Sequence, residues 1–171
     1  MTAKPSPLRQ TDGVHPNVEG VVSALRAAGA DAAAEAVREL PDSARTAALA
    51  AAQLGVEVGA IANSLLFESA GTPLLVLTSG AHRVDTAKVE RLLGIPALKR
   101  ADPDFVRQHT GQPIGGVAPL GHPEPIGTLV DIALAGYDVV WAAAGHPAAV
   151  FPTTYDELLR ITVGTAAEVG D

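Results

Sequence analysis

Two apolar runs separated by a two-residue turn constrain the fold of this chain most strongly. The runs are SLLFES and TPLLVLTS, and Ala70-Gly71 stands between them. Runs of this kind, joined by a short turn that contains glycine, predict a β-hairpin. Asn63 lies just before the first run, in the segment IANSLLF. Its side-chain amide needs hydrogen-bond partners wherever the strand buries it, so this position calls for an explanation.

Helical patterns lie on both sides of the hairpin, and each begins at a residue that can cap a helix N-terminus. The segment DAAAEAVREL has no decisive period and is compatible with helix or strand. The late segments YDVVWAAAG and AAVF predict strands. Strands and helices therefore alternate irregularly, which indicates an α+β fold with a mixed sheet. The predicted helices are 17–28 (cap Asn17), 44–54 (cap Ser43), 85–93 (cap Asp85), 102–110 (cap Asp102) and 155–161 (cap Thr153 or Thr154).

The composition is that of a globular protein. Of 171 residues, 47% are hydrophobic and 18% are charged, which predicts one domain with its own core over residues 17–171. Residues 1–16 are polar and rich in proline, and we expect them to form a flexible arm. The absence of cysteine excludes disulfides and thiolate metal sites. No secretory leader or membrane-spanning apolar run is visible, so the expected location is the cytoplasm.

The charge distribution argues against a broad electrostatic grip on nucleic acid, because the net charge is −7. Residues 83–107 are nevertheless locally basic. On composition alone, a solvated face of mixed charge explains this segment better than a nucleic-acid surface does. Its basic residues are Arg83, Lys88, Arg91, Lys99, Arg100 and Arg107.

Several standard catalytic patterns are absent. The glycines at 111, 115 and 116 make neither GxGxxG nor a P-loop, and Ser79 is not in a GxSxG elbow. The five histidines show no metal-binding spacing. We therefore predict neither a metal nor a cofactor.

Three short elements remain as candidates for a site. They are IANSLLF, the glycine loop GGVAPLG at 115–121, and AAAGHP at 142–147. Polar groups at strand ends that face a glycine loop commonly build pockets. Each element also has a simple structural explanation: Asn63 could bridge a turn, the loop could be a surface loop, and His146 could be a structural imidazole. Taken singly, the structural explanation is favoured each time.

Taken together and in this order, the three elements resemble the YbaK/prolyl-tRNA-synthetase-associated editing domain family. The family's first characteristic strand corresponds to LGVEVGAIANSLLF in this sequence. Its GxxxP loop corresponds to TGQPIGGVAPLG, and its late strand corresponds to WAAAGHP. The resemblance covers nearly the whole chain after about residue 17. It implies a curved, mixed or largely antiparallel sheet with flanking helices, and a strand within DAAAEAVREL.

The resemblance also implies an activity, which is hydrolysis of a small mischarged amino acid (alanine, cysteine, serine or threonine) from tRNA, often the tRNA for proline. The implied partners are tRNA and, as a further candidate, an aminoacyl-tRNA synthetase. In this family a water is thought to attack with help from the terminal ribose hydroxyl. Matching the motifs gives Asn63, Gly115 and His146 as catalytic candidates and Ser64, Gly116, Pro119 and Gly145 as substrate-binding candidates. The candidate tRNA-facing residues become Arg83, Lys88, Arg91, Lys99 and Arg100.

Asn63 departs from the family pattern, because most members carry a functional lysine there. Lysine offers a positive charge to a phosphate or a developing oxyanion, whereas asparagine offers only neutral hydrogen bonds. Three alternatives stay open: an active deacylase, a catalytically weakened module that binds tRNA or an aminoacyl group, and a structural protein with a vestigial cleft.

Overall fold

The computed structural model describes residues 15–170, which form six α-helices flanking one eight-stranded mixed sheet. This architecture confirms the predicted α+β class. The helices are α1 (Pro16–Ala27), α2 (Asp31–Glu35), α3 (Ala47–Leu54), α4 (Thr86–Leu93), α5 (Pro103–Thr110) and α6 (Tyr155–Thr162). The strands are β1 (Arg38–Glu39), β2 (Ile61–Ser69), β3 (Thr72–Ser79), β4 (Leu98–Arg100), β5 (Gly127–Asp131), β6 (Val140–Ala143), β7 (Ala149–Thr153) and β8 (Thr165–Ala167).

The predicted hairpin is the centre of the sheet. Strands β2 and β3 pair antiparallel from Ala62 opposite Ser79 to Ser69 opposite Thr72. The turn residues Ala70 and Gly71 have φ angles of 49° and 85°. Two consecutive left-handed residues are what a tight hairpin turn requires, so the hairpin prediction is confirmed.

The remaining strands extend the sheet on both sides of the hairpin, in the order β1-β7-β6-β2-β3-β5-β8, with β4 pairing separately with β2. The pairs β2–β6, β3–β5 and β5–β8 are parallel, and the others are antiparallel. Strand β1 lies within DAAAEAVREL, as the family resemblance implied, and follows the short helix α2. The sequence analysis did not predict β5, whose residues directly follow the proline-rich segment.

Three predicted helix caps are confirmed. Asp85, Asp102 and Thr154 each accept a hydrogen bond from a backbone N–H inside the following helix. The prediction for residues 1–16 falls mostly on residues 1–14, which lie outside the described part of the chain.

Two predicted caps are wrong. Helix α1 begins at Pro16, and the ring of His15 caps it by accepting from Asn17 N–H. Proline is favoured in the first turn of a helix, so Asn17 already lies inside α1. Helix α3 begins after Thr46, not after Ser43. The reason is that Ala44 N–H donates to Pro147 C=O at 2.8 Å, which holds the chain extended before Thr46.

Both faces of the sheet are covered. Helices α1, α2, α5 and α6 contribute to the larger core on one face. On the other face, α3 packs near Ile61 and Trp141 in one cluster and α4 packs near Phe67 in another. The alternation in β3 is clean, because Leu75 and Leu77 belong to the first core and Val76 to the opposite one.

Candidate functional site

The sheet is interrupted along one edge of β2. One edge is paired with β3 over almost the whole strand. The other edge pairs with β6 only at residues 61–62 and with β4 only at residues 67–69. Residues 63–65 therefore have no strand partner on that edge, and a gap opens in the sheet between β6 and β4.

The backbone of Ser64 faces this gap. Ile61 C=O accepts from Gly80 N–H at 2.9 Å on the β3 side, whereas Leu66 C=O accepts from Ala101 N–H at 3.1 Å on the β4 side. Backbone groups of alternate residues in a strand point to opposite edges. The N–H and C=O of Ser64 consequently point into the gap, where a ligand can reach them.

The side chains at the gap are also polar and unpaired. Ser64 Oγ is buried and has no hydrogen-bond partner among the described residues. Asn63 is half-buried, and none of the side-chain hydrogen bonds in residues 15–170 involves its amide. Unpaired buried polar groups are costly and uncommon in native proteins. Their presence at one break in the sheet is typical of a binding site.

Two adjoining pockets occupy the gap and share Asn63, Ser64, Arg45 and Gly115 in their walls. Both pockets are partly open to solvent; we call the smaller one, of about 40 Å³, the inner chamber and the larger one, of about 240 Å³, the outer pocket. The chamber holds only a few non-hydrogen atoms. Its apolar wall is formed by Ala44, Ala47, Ala50, Ile61, Trp141, Ala142 and Val150.

The glycine loop enters the cleft at Gly115. This residue has a φ of 90°, and a β-carbon on it would lie 3.1 Å from Arg45 Cγ. The Arg45 guanidinium donates to Ile114 C=O at 3.1 Å. The loop and the segment before α3 thus form one wall together.

Gly116 holds the loop against the β6–β7 turn. A β-carbon on Gly116 would lie within 2.6 to 2.8 Å of the backbone of His146 and Pro147, so only glycine fits there. Its N–H donates to Pro113 C=O at 3.0 Å. This amide is therefore already engaged, whereas no acceptor in residues 15–170 pairs with the N–H of Gly115.

Side chains buried behind the loop fix its shape. Gln112 is 4% exposed, and its side-chain oxygen accepts from Ala118 N–H at 2.8 Å. His122 Nε2 donates to Ala118 C=O at 2.8 Å. Burial lowers the pKa of His122 below its usual value of 6.5, although the bond to Ala118 opposes this shift. Gln112 and His122 therefore hold the glycine loop in place, and the imidazole of His122 is neutral when it does so.

His146 lies next to the cleft, but its ring does not line either pocket. Nδ1 accepts from Ala148 N–H at 3.0 Å, and the ring centroid is 5.2 Å from that of His15. Burial lowers the pKa of His146, and the positive charge of His15 and Arg45 adds to the effect while Glu39 opposes it. The neighbouring Pro147 does line the inner chamber.

Other residues predicted for the site lie elsewhere. Pro119 lines a separate surface pocket with Gly121 and His122. Gly145 has a φ of 96° and packs against Asn17, where a β-carbon would be 2.9 Å from the carbonyl oxygen. Its position lets the chain turn between β6 and β7.

The predicted tRNA-facing residues do not share one location. Arg100, at the end of β4, lines the outer pocket. Lys88 instead donates to Gly170 C=O at 2.6 Å. Arg83, Arg91 and Lys99 are exposed and do not line the cleft.

Arg45 is the main residue of the cleft that the sequence analysis missed. The predicted helix 44–54 places Arg45 in its first turn, and a lone arginine in an alanine-rich segment gives no signal of its own. Part of the apolar wall (Ile61, Trp141 and Ala142) lies in the candidate segments, whereas the alanines at 44, 47 and 50 and Val150 were not predicted to line a site. Arg45 lies immediately before Thr46, the N-terminal cap of α3, and this position is the signal that could have drawn attention to it.

The fold and the cleft define an aminoacyl-tRNA editing domain. The family model described as "Aminoacyl-tRNA editing domain" matches residues 41–161, and the chain belongs to this family.

Individual relatives agree with this assignment. A solved structure described as a candidate trans-editing enzyme for prolyl tRNA synthetase superposes with a TM-score of 0.86 and 42% identity, covering 93% of this chain and 99% of that one. The uncharacterized protein YwhH of Bacillus subtilis is 31% identical over 71% of this chain and 78% of its own length. A proline–tRNA ligase of Nitratidesulfovibrio vulgaris is 32% identical over 68% of this chain, which spans only 20% of the ligase. Within residues 15–170, no helix has the length and apolar character needed to cross a membrane.

Proposed function

We propose that this protein hydrolyses the ester bond between a small mischarged amino acid and the 3′ end of a tRNA. The observation that carries the proposal is the gap in the sheet, where Asn63 and the unpaired backbone of Ser64 line a small chamber with an apolar wall. The aminoacyl side chain enters the inner chamber, and the terminal ribose occupies the outer pocket. Membership of the editing family supports hydrolysis as the reaction.

The reaction needs a water and no other co-reactant. The water oxygen bonds to the ester carbonyl carbon, the bond from that carbon to the ribose oxygen breaks, and the ribose oxygen takes up a proton. The N–H groups of Gly115 and Ser64 and the amide of Asn63 are the donors available to the developing oxyanion. No carboxylate or imidazole lines either pocket within the described chain. Activation of the water therefore depends on the substrate's own ribose hydroxyl, as the family resemblance implies.

The substrate set that we propose is alanine, cysteine, serine and threonine on the tRNA for proline. The size of the inner chamber supports a small side chain, and Thr46, which lines this chamber, has a hydroxyl that can bond to a substrate hydroxyl. Similarity to proline–tRNA ligases supports this tRNA. Excluding one methylene by fit is worth only about 1–3 kcal/mol, so size discriminates only partially against proline. We further propose that the protein acts in the cytoplasm together with an aminoacyl-tRNA synthetase.

A deacylation assay over a panel of mischarged tRNAs tests the proposal. The wild-type protein is compared with Asn63→Ala, and Gln108→Ala, an exposed amide on α5, serves as the matched control. We expect turnover of at least one small aminoacyl-tRNA by the wild type. We also expect Asn63→Ala to lower kcat/KM by about 10–100-fold, with Gln108→Ala unchanged.

The assay also separates the alternatives. Absence of turnover by the wild type on every member of the panel would overturn the proposal. If activity then appeared in Asn63→Lys, the protein would be a weakened relative of a hydrolase. Tight binding of tRNA with no turnover in either protein would indicate a binding module.

A further inference from the structure

The charged side chains that line the cleft are of one sign. Across both pockets these side chains are Arg45 and Arg100, with no aspartate or glutamate among the described lining residues. The whole chain carries a net charge of −7. A cleft whose lining charges are all positive, in an acidic protein, indicates an anionic ligand.

Arg45 is held in place without its charge being neutralised. Its aliphatic stem packs on Gly115, with contacts of 3.1 to 3.3 Å to the position of a β-carbon. One guanidinium nitrogen donates to Ile114 C=O. No carboxylate in residues 15–170 forms an ion pair with Arg45. Its remaining N–H groups are exposed at the rim of the outer pocket.

Arg100, the last residue of β4, lines the outer pocket together with Arg45. It lies opposite Phe67 in the β2–β4 pairing, just beyond the gap, and its guanidinium is 5.9 Å from the Phe67 ring centroid. Contact with a ring face leaves the N–H edges of a guanidinium available. None of the ion pairs in the described chain involves Arg100.

We infer that Arg45 and Arg100 form a rim that binds phosphates of the unpaired 3′ end of the tRNA, each arginine contacting one phosphate. This inference rests on the proposed function and adds the residues that position the substrate. Guanidinium groups bind phosphate oxygens through two parallel N–H bonds. Both arginines are exposed; Arg100 lines only the outer pocket, and Arg45 lines both pockets. Their proposed role is to position the nucleotide and not to contact the reacting ester. Their loss raises KM more than it lowers kcat.

Binding of a fluorescently labelled RNA minihelix with an unpaired 3′ end tests the rim without requiring catalysis. The variants are Arg45→Gln, Arg100→Gln and the double variant, and Arg26→Gln is the matched control because Arg26 is exposed on α1 and lines neither pocket. Each single variant is expected to weaken binding by about 3–10-fold. Each lost contact is expected to reduce the slope of log K against log salt by about 0.7. Arg45→Lys keeps the charge but loses the two parallel N–H bonds, so its affinity is expected to lie between those of Arg45→Gln and the wild type.

A second minihelix without the unpaired end locates the contacts. The variants are expected to bind it with the same affinity as the wild type, because the rim phosphates are missing. Thermal unfolding of each variant confirms that it is folded. If Arg45→Gln and Arg100→Gln match Arg26→Gln in affinity and salt slope, the inference is overturned. If the arginine variants bind the minihelix more weakly but the wild type hydrolyses no mischarged tRNA, the proposed hydrolysis is wrong. The assignment of Arg45 and Arg100 to phosphate binding is then retained.

Discussion

The side chain of Arg45 passes so close to Gly115 that a β-carbon on Gly115 would lie 3.1 Å from Arg45 Cγ and 3.2 Å from Arg45 Cβ. Gly115 also has a φ of 90°, a conformation that side chains other than glycine rarely adopt. Two features therefore require glycine at this position: its backbone conformation and the close approach of the Arg45 side chain. Arg45 itself lines the cleft.

Replacement of this glycine by alanine tests the relationship. In Gly115→Ala, the strained backbone is expected to lower the free energy of unfolding by about 1–3 kcal/mol. The added β-carbon displaces Arg45, so kcat/KM for deacylation is expected to fall by about tenfold as well. Urea unfolding and the deacylation assay measure the two effects separately.

The matched control is Gly94→Ala. Gly94 has a φ of 66° at the C-terminus of α4, and a β-carbon there would meet open space. This variant shares the backbone strain but not the contact with Arg45. It should lose stability while keeping full activity. Equal activity in the two variants would contradict the link between Gly115 and Arg45.

Ser64 predicts a variant that is more stable but less active. Its Oγ is buried without a partner, so Ser64→Ala removes an unsatisfied polar group and should stabilise the fold by up to about 1 kcal/mol. If the hydroxyl contacts substrate, kcat/KM should fall by about tenfold at the same time. Thermal unfolding and deacylation by one preparation provide both values.

Ser69, on the same strand, is the control for Ser64. Its Oγ is buried but donates to Pro96 C=O at 2.8 Å. Ser69→Ala should therefore destabilise the fold by about 1 kcal/mol and leave activity unchanged. If Ser64→Ala gains stability and loses activity while Ser69→Ala loses stability and keeps activity, Ser64 is part of the site. A loss of stability in Ser64→Ala would show that its hydroxyl has a structural partner.

What the sequence could and could not predict follows from the range of the interactions. The hairpin and the caps at Asp85 and Asp102 depend on residues close together in the chain, and these predictions are confirmed. The gap beside Ser64 depends on where β6 and β4 end, which no local pattern specifies. The bond from Arg45 to Ile114 spans 69 residues. The long-range contacts that complete the cleft could therefore not be predicted, although the two motifs that contain Asn63 and Gly115 pointed to its location.

The inner chamber can be enlarged at Val150. This residue is 6% exposed and lines the chamber, so Val150→Ala adds room next to the substrate side chain. The ratio of deacylation rates for a larger over a smaller aminoacyl group should rise by about tenfold. The assay compares two mischarged tRNAs that differ only in the attached amino acid.

Val76→Ala separates selectivity from general loosening. Val76 is fully buried in β3 and packs in a different cluster from the chamber wall. Both valine substitutions should cost about 2 kcal/mol of stability. Only Val150→Ala should change the preference between substrates. An equal change in both variants would show that the chamber does not select the side chain.

The loop brace at His122 predicts a dependence of stability on pH. Burial lowers the pKa of His122 below 6.5 in the folded protein. The unfolded chain therefore binds more protons between the two pKa values, so stability rises with pH across that range. The contribution of His122 is complete above about pH 6.5 and is lost as the pH falls through the folded pKa. The lowered pKa of His146 acts in the same direction.

Urea unfolding between about pH 7.5 and about pH 5 measures this contribution, because most carboxylates stay ionised over that range. The wild type should lose stability as the pH falls. His122→Gln keeps an N–H donor for Ala118 C=O and should lose less. His109→Gln, at a half-buried histidine packed on Phe105 with ring centroids 4.3 Å apart, is the control. If His122→Gln shows the same pH dependence as the wild type, the imidazole does not couple protonation to the stability of the glycine loop.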